Sequence, residues 1–147
     1  MGNDLPLTYI RSVIENALSE DIGPGDITTS LLIAEDQIAE GFITAEEDVI
    51  AAGILVAEEV FKTLDPDAVF ETLARDGESI SAGTKIIRVH GKAKALLTGE
   101  RVALNFLQRL SGIATLSRRY AEAVKGLPVR LMDTRKTTPG LRILEKY

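Results

Sequence analysis

Leu7, Ile10, Ile14, Ala17 and Leu18 recur every three to four positions, so the chain is expected to open on an amphipathic helix. That pattern stops at Asp21-Ile22-Gly23-Pro24-Gly25-Asp26, a run of turn-forming residues. Ile38 to Glu46 predicts a strand, and Val49 to Gly53 a short second one. Leu55 to Leu64 predicts a helix closed by Asp65-Pro66-Asp67. Val69 to Leu73 and Lys85 to Val89 read as strands around the tight loop Arg75 to Gly83. Ala93 to Leu110 is the longest helical pattern; Gly112 is expected to break it, with a second helix running to about Val124. Gly126-Leu127-Pro128 ends that helix. Val129 to Met132 then predicts an apolar strand opening into Asp133 to Gly140, and a helical pattern restarts at Leu141.

Residues 1–110 therefore mix antiparallel-looking strands with helices, an α+β domain. Residues 111–147 read as helix, strand, loop and start of helix, the order of a first βα unit in an α/β barrel that is here incomplete. One such unit cannot bury both faces of its strand, so this part is expected to need more chain or a partner to cover it. Internal repeats and low-complexity linkers are not seen.

Composition narrows the picture. Of 147 residues, 45% are apolar, enough for a buried core, and none is cysteine, which excludes disulfides and thiolate metal sites. Met1 to Ile10 lacks a basic segment followed by an apolar run, so no signal peptide is expected. Pro6 stands where a myristoylation signal wants Ser or Thr. No apolar run approaches the roughly 20 residues of a membrane helix, so a cytoplasmic protein without a membrane partner is expected. The net charge of -5 is uneven: eight basic and three acidic residues follow position 116, leaving -10 for the rest. So acidic a chain is a poor nucleic-acid partner. Its basic tail suits small anions, or is a solvated surface.

Two constellations could bind such anions. Lys94, Thr98, Arg101, Asn105 and Gln108 fall on one narrow face of the long helix at about 100° per residue. That face is either the wet side of an ordinary amphipathic helix or, since it carries no carboxylate, a grip for carboxylate or phosphate through Arg101. The second is Asp133 to Arg142. Here Thr134, Arg135, Lys136, Thr137 and Thr138 supply two cations and three hydroxyls in five positions, where barrel loops hold active sites. The alternative is a solvated basic turn. His90, the one histidine, is expected at a strand end without a visible partner and is read as structural. No metal-binding cluster is expected.

Three segments together resemble the quinolinate phosphoribosyltransferase family, also called nicotinate-nucleotide pyrophosphorylase (carboxylating). They are Glu20-Asp21-Ile22-Gly23-Pro24-Gly25-Asp26-Ile27-Thr28-Thr29; the run from Gly99 to Thr115 containing Arg101-Val102-Ala103-Leu104-Asn105 and Ser111-Gly112-Ile113-Ala114-Thr115; and Asp133-Thr134-Arg135-Lys136-Thr137-Thr138-Pro139-Gly140-Leu141-Arg142. The first is weak alone; the other two are long and specific. The resemblance implies an N-terminal α+β sandwich followed by an α/β barrel. It implies phosphoribosyl transfer from phosphoribosyl pyrophosphate to quinolinate with decarboxylation, giving nicotinic acid mononucleotide in NAD biosynthesis with Mg²⁺. It also implies a homodimer with shared sites, in which Arg101 reaches a quinolinate carboxylate in the partner's site. By the same resemblance Thr134, Arg135 and Lys136 are expected to line the substrate pocket of their own barrel, with Lys136 the catalytic candidate. The family's later His-Arg pair, a further Lys and its Mg²⁺-handling carboxylates have no counterpart in these residues, so the 147-residue chain alone is expected to be inactive.

Three rival readings stand beside this one. A related phosphoribosyltransferase could take another acceptor. A lipoyl-like carrier shares the turn from Asp76 to Gly83 but would need a Lys in Ala45 to Ile50, where there is none. A non-catalytic fragment could dimerise through the apolar sides of the 93–124 helices.

Overall fold

The computed structural model describes residues 5–23, 25 and 27–147. In chain order its elements are α1 (Leu7–Ile22), α2 (Ile27–Leu32), β1 (Ile38–Thr44), β2 (Val49–Ile50), α3 (Ile54–Leu64), β3 (Val69–Thr72), β4 (Ser79–Ile80), β5 (Lys85–Lys92), α4 (Ala93–Ala123) and α5 (Arg142–Lys146). β5 is the centre of a three-stranded antiparallel sheet in the order β1-β5-β3, and β2 pairs with β4 in a second, two-stranded one. The α+β expectation for the first part of the chain describes this arrangement.

Strand β5 is the most deeply buried of the three: Ile86, Ile87, Val89 and Gly91 are buried while Lys85, Arg88 and His90 face out. On the outer face Arg88 ties the three strands together, its guanidinium 2.6 Å from Glu40 of β1 and 3.2 Å from Glu71 of β3. Val69 and Glu40 both pair with His90. The strand thus continues past His90, which is a solvent-face residue within β5 rather than one at its end.

Helices cover the other face. Ile10 and Ile14 of α1, Val56, Val60 and Phe61 of α3, and Val102, Phe106, Leu107 and Leu110 of α4 form one core with Ile87 and Val89. Each fully buried aliphatic side chain contributes about 1.5–3 kcal/mol. Close approach of α4 to α3 rests on Gly99, where an added Cβ would lie 3.0 Å from Leu64 Cδ1 and 3.3 Å from the Phe61 ring. At the start of α3, Gly53 takes a left-handed φ of 95° with Leu110 against it.

Helix α4 is one continuous run of 31 residues, about 46 Å long by its rise per residue. The break expected at Gly112 does not occur. A glycine inside a helix costs only about 1 kcal/mol, and its neighbours hold the helix in place. Ser111 Oγ accepts the Ala52 amide at 3.1 Å, and Thr115 Oγ1 accepts the Ile50 amide at 2.8 Å. These hydroxyls, one helical turn apart, satisfy backbone donors at the edge of the small sheet.

The strand expected at Val129 to Met132 is also absent. The segment from 124 to 141 forms turns and irregular backbone, and Val129, Leu131 and Met132 are 55%, 52% and 76% exposed. A barrel strand needs a parallel neighbour for its hydrogen bonds, and no such neighbour is present among the described residues.

The start of α4 is fixed from outside the helix. Lys92 at its N-cap makes no side-chain cap. Instead Asp65, 2% exposed, accepts the Lys92 amide at 2.9 Å, and the Gln37 carbonyl accepts the Ala93 amide at 2.8 Å. Asp65→Ala is therefore expected to cost about 1–3 kcal/mol by leaving a partly buried amide unpaired. Urea unfolding with an unchanged midpoint would show that Asp65 does not set this helix.

Candidate active site

Two basic regions predicted from the sequence lie at different places on the molecule. Arg101 projects from α4 and is 73% exposed; its Nη1 is 2.9 Å from Asp21 Oδ1 near the end of α1. Lys94, on the same stripe, is paired with Glu35. Asn105 and Gln108 are exposed. The stripe is thus a wet helix face, two of whose cations meet carboxylates from elsewhere in the chain.

Beside Arg101 lies a cleft of about 380 Å³, between α1, which contributes Ala17, Glu20 and Asp21, and α4, which contributes Asn105 and Arg109, with Leu141 also in its lining. Residues from all three motif segments meet there. Thr134, Arg135 and Lys136 do not line it.

Those three sit on the exposed loop between α4 and α5. The loop is braced from within. Thr134 Oγ1 accepts the Lys136 amide at 3.1 Å. Arg142 donates from Nε to Thr137 Oγ1 and from Nη2 to the Arg135 carbonyl, both at 3.1 Å. Lys146 pairs with Asp133 at 2.5 Å. The Arg135 and Lys136 side chains form no ion pair or hydrogen bond among the described residues. Two adjacent, solvated cations on a braced loop can hold an anion without first breaking an internal salt bridge.

The sequence did not single out the contacts that attach this loop to the helical domain. Arg109 Nε lies 2.8 Å from Glu145 Oε1, and Arg109 Nη2 bonds both Glu145 and Thr138 Oγ1. Glu145 Oε2 accepts the Thr138 amide at 3.1 Å. The Tyr9 hydroxyl donates to the Gly140 carbonyl. Leu144 is 2% exposed and belongs to the main core. A signal was present: the basic tail has three carboxylates, and Asp133 and Glu145 both serve as staples.

Among the described residues no group of three or more His, Cys, Asp or Glu side chains converges to hold a metal ion. No helix there is long and apolar enough to cross a membrane. The turn shared with lipoyl-like carriers has a structural task, since Asp76 Oδ1 accepts the Ile54 amide at 3.1 Å and so caps α3.

Comparison with known proteins places this geometry. The family model described as quinolinate phosphoribosyl transferase, N-terminal domain, matches residues 26–111, and that of the C-terminal domain matches residues 113–147. The chain belongs to the quinolinate phosphoribosyltransferase family. It is 44% identical over 142 residues to a Synechocystis sp. protein named "Probable nicotinate-nucleotide pyrophosphorylase (carboxylating)", covering 97% of this chain and 48% of that one. It is 43% identical over 143 residues to quinolinate phosphoribosyltransferase (decarboxylating) 1b of Nicotiana tabacum, covering 97% of this chain and 40% of that one. The solved nicotinate-nucleotide pyrophosphorylase of Francisella tularensis superposes with a TM-score of 0.91 at 36% identity, over 99% of this chain and 52% of that one. The chain thus spans about half the length of the curated relatives it matches. The likeness to that structure extends through the irregular 124–141 segment, supporting the expected fold of an α+β domain followed by the beginning of an α/β barrel.

The attachment of the loop involves an ionised Glu145. Burial works to raise the Glu145 pKa, but hydrogen bonds from Arg109 and Thr138 outweigh it and hold the carboxyl below its ordinary value. A lowered folded pKa stabilises the fold above the unfolded value and loses that stabilisation as pH falls through the folded one. Wild type should therefore lose stability relative to Glu145→Gln as pH falls below the usual glutamate range near about 4.3. Parallel denaturant midpoints for the two proteins across that range would count against the linkage.

Proposed function

We propose that this chain supplies part of an enzyme transferring the phosphoribosyl group of phosphoribosyl pyrophosphate to quinolinate, with loss of CO₂, to give nicotinic acid mononucleotide for NAD biosynthesis. Family membership supports the reaction class, and the observation that carries the assignment to residues is the braced loop with Arg135 and Lys136 left uncommitted. The substrates are a pyridine dicarboxylate and a polyphosphate, so their recognition requires several fixed cations.

In this reading the quinolinate nitrogen attacks the anomeric carbon of the ribose while the bond to pyrophosphate breaks. Cationic character develops on the sugar, and negative charge develops on the leaving pyrophosphate. Electrostatic stabilisation of that charge is the main demand on the site, and Lys136, a compact point charge, suits it. Ribosylation makes the ring nitrogen positive. That nitrogen stabilises the electron pair left at the ring carbon when CO₂ departs, until a proton replaces it. Arg135 and Thr134 orient the acceptor through a planar fork and a hydroxyl. Mg²⁺ is proposed for the complete reaction, but this chain's described residues offer no cluster to hold it.

Arg101 is proposed to act across a homodimer interface, binding a quinolinate carboxylate at the loop of the partner subunit. Its exposure on α4, where it pairs with Asp21 and not with the Thr134-Arg135-Lys136 loop, supports this. The boundary near residue 110 is proposed as the division between the α+β domain and the barrel domain, with α4 continuous across it. A cytoplasmic setting is proposed with the dimer.

Two substitutions in the native full-length protein test these roles. Arg101→Ala should weaken quinolinate binding about thirtyfold or more, the loss of one charged contact, with little effect on phosphoribosyl pyrophosphate. Unchanged quinolinate affinity by calorimetry sinks the cross-subunit role. Lys136→Ala should lower kcat/KM by about 2–4 kcal/mol of transition-state binding with the melting temperature preserved. A collapsed melting temperature instead would assign Lys136 to the fold.

A further inference from the structure

Arg109 sits on α4 eight residues beyond Arg101, about 12 Å along the helix axis, and its guanidinium points to the third motif rather than to solvent alone. It spans 36 residues to Glu145 and 29 to Thr138. Glu145 completes the ring by accepting the Thr138 amide at 3.1 Å. Both the backbone and the hydroxyl of Thr138 are therefore held, two residues after Lys136. On the far side of the turn, the Tyr9 hydroxyl holds the Gly140 carbonyl. Within the turn, Arg142 holds the Arg135 carbonyl and Thr137. The Glu145 side chain is 9% exposed and that of Arg109 45%, so the carboxylate end of the bridge is sheltered while the guanidinium end is open to solvent.

We propose that Arg109 and Glu145 are positioning residues for the basic loop. They couple the helix that carries Arg101 to the segment that carries Thr134, Arg135 and Lys136, and they set the angle at which those cations meet a bound anion. In this role Arg109 acts through Glu145 and Thr138, to which its guanidinium is bonded, and not on substrate directly. Arg109 gives Glu145 two donors, Nε and Nη2, while Nη2 also donates to Thr138, and a lysine ammonium lacks that fixed fork. This inference deepens the function proposed above and rests on it.

The test uses the native full-length protein and the variants Arg109→Lys, Glu145→Gln and Thr138→Val, the last deleting a single hydroxyl from the bridge. Steady-state kinetics with quinolinate and phosphoribosyl pyrophosphate, melting temperatures and amide exchange across residues 134–140 are measured together. Arg109→Lys is expected to stay folded yet lose about tenfold in kcat, while both KM values move by less than about threefold. Thr138→Val should show the same pattern more weakly, and exchange across 134–140 should quicken by about tenfold in Arg109→Lys without change elsewhere. A kcat within about twofold of wild type in folded variants overturns the proposal. So does a loss confined to the KM of one substrate, which would make Arg109 a ligand contact. Should the wild-type protein turn over neither substrate, the proposed function fails by itself. The exchange data then decide the positioning role: local quickening supports it, and unaltered exchange overturns it.

Discussion

The placement of α4 is the constraint on which everything else depends. Its first amides are satisfied by Asp65 and by the Gln37 carbonyl, its Gly99 lets it lie against Phe61 and Leu64, and its Ser111 and Thr115 fasten it to the edge of the small sheet. These contacts come from α3, β2 and the segments flanking β1 and β5, so the helix is fixed along its first six turns before it leaves the core. Arg101 and Arg109 both lie within that fixed stretch. Their positions follow from backbone hydrogen bonds and close packing, which tolerate little displacement.

Much of this was legible in the hydrophobic pattern. The period of Leu7, Ile10, Ile14 and Leu18 identified α1, and short runs rich in Ile, Val and Phe bounded by turn residues identified β1, β3 and β5. Gly112 misled, since a glycine weakens a helix only modestly and three-dimensional anchors on either side of it were invisible in one dimension. Val129 to Met132 misled for the opposite reason. Its largely apolar composition specifies a strand only where another strand offers hydrogen bonds, and the described residues contain no such neighbour.

The site was legible in part. Arg101, Thr134, Arg135 and Lys136 stood out because runs of cations and hydroxyls without carboxylates are unusual. Asp21, Arg109, Glu145 and Tyr9 did not, because each acts through a partner tens of residues distant, and no local spacing reports such a pairing. The Ser111-Thr115 pair belonged to a recognised motif, yet its residues face the chain's own backbone. Motif membership alone does not separate groups that touch a ligand from groups that hold the scaffold.

The allocation of carboxylates in the tail separates the two kinds of group. Asp133 and Glu145 could have neutralised Arg135 and Lys136, their neighbours on the same short segment. They pair instead with Lys146 and Arg109. Internal pairing would have relieved the repulsion between adjacent cations, at the cost of an anion having to displace a carboxylate on binding. Spending both carboxylates on the attachment of the loop leaves the repulsion in place and keeps the loop rigid despite it. On the function proposed above, an incoming dianion or pyrophosphate would relieve that repulsion and meet donors already in position, so its binding energy would not be consumed in ordering the loop.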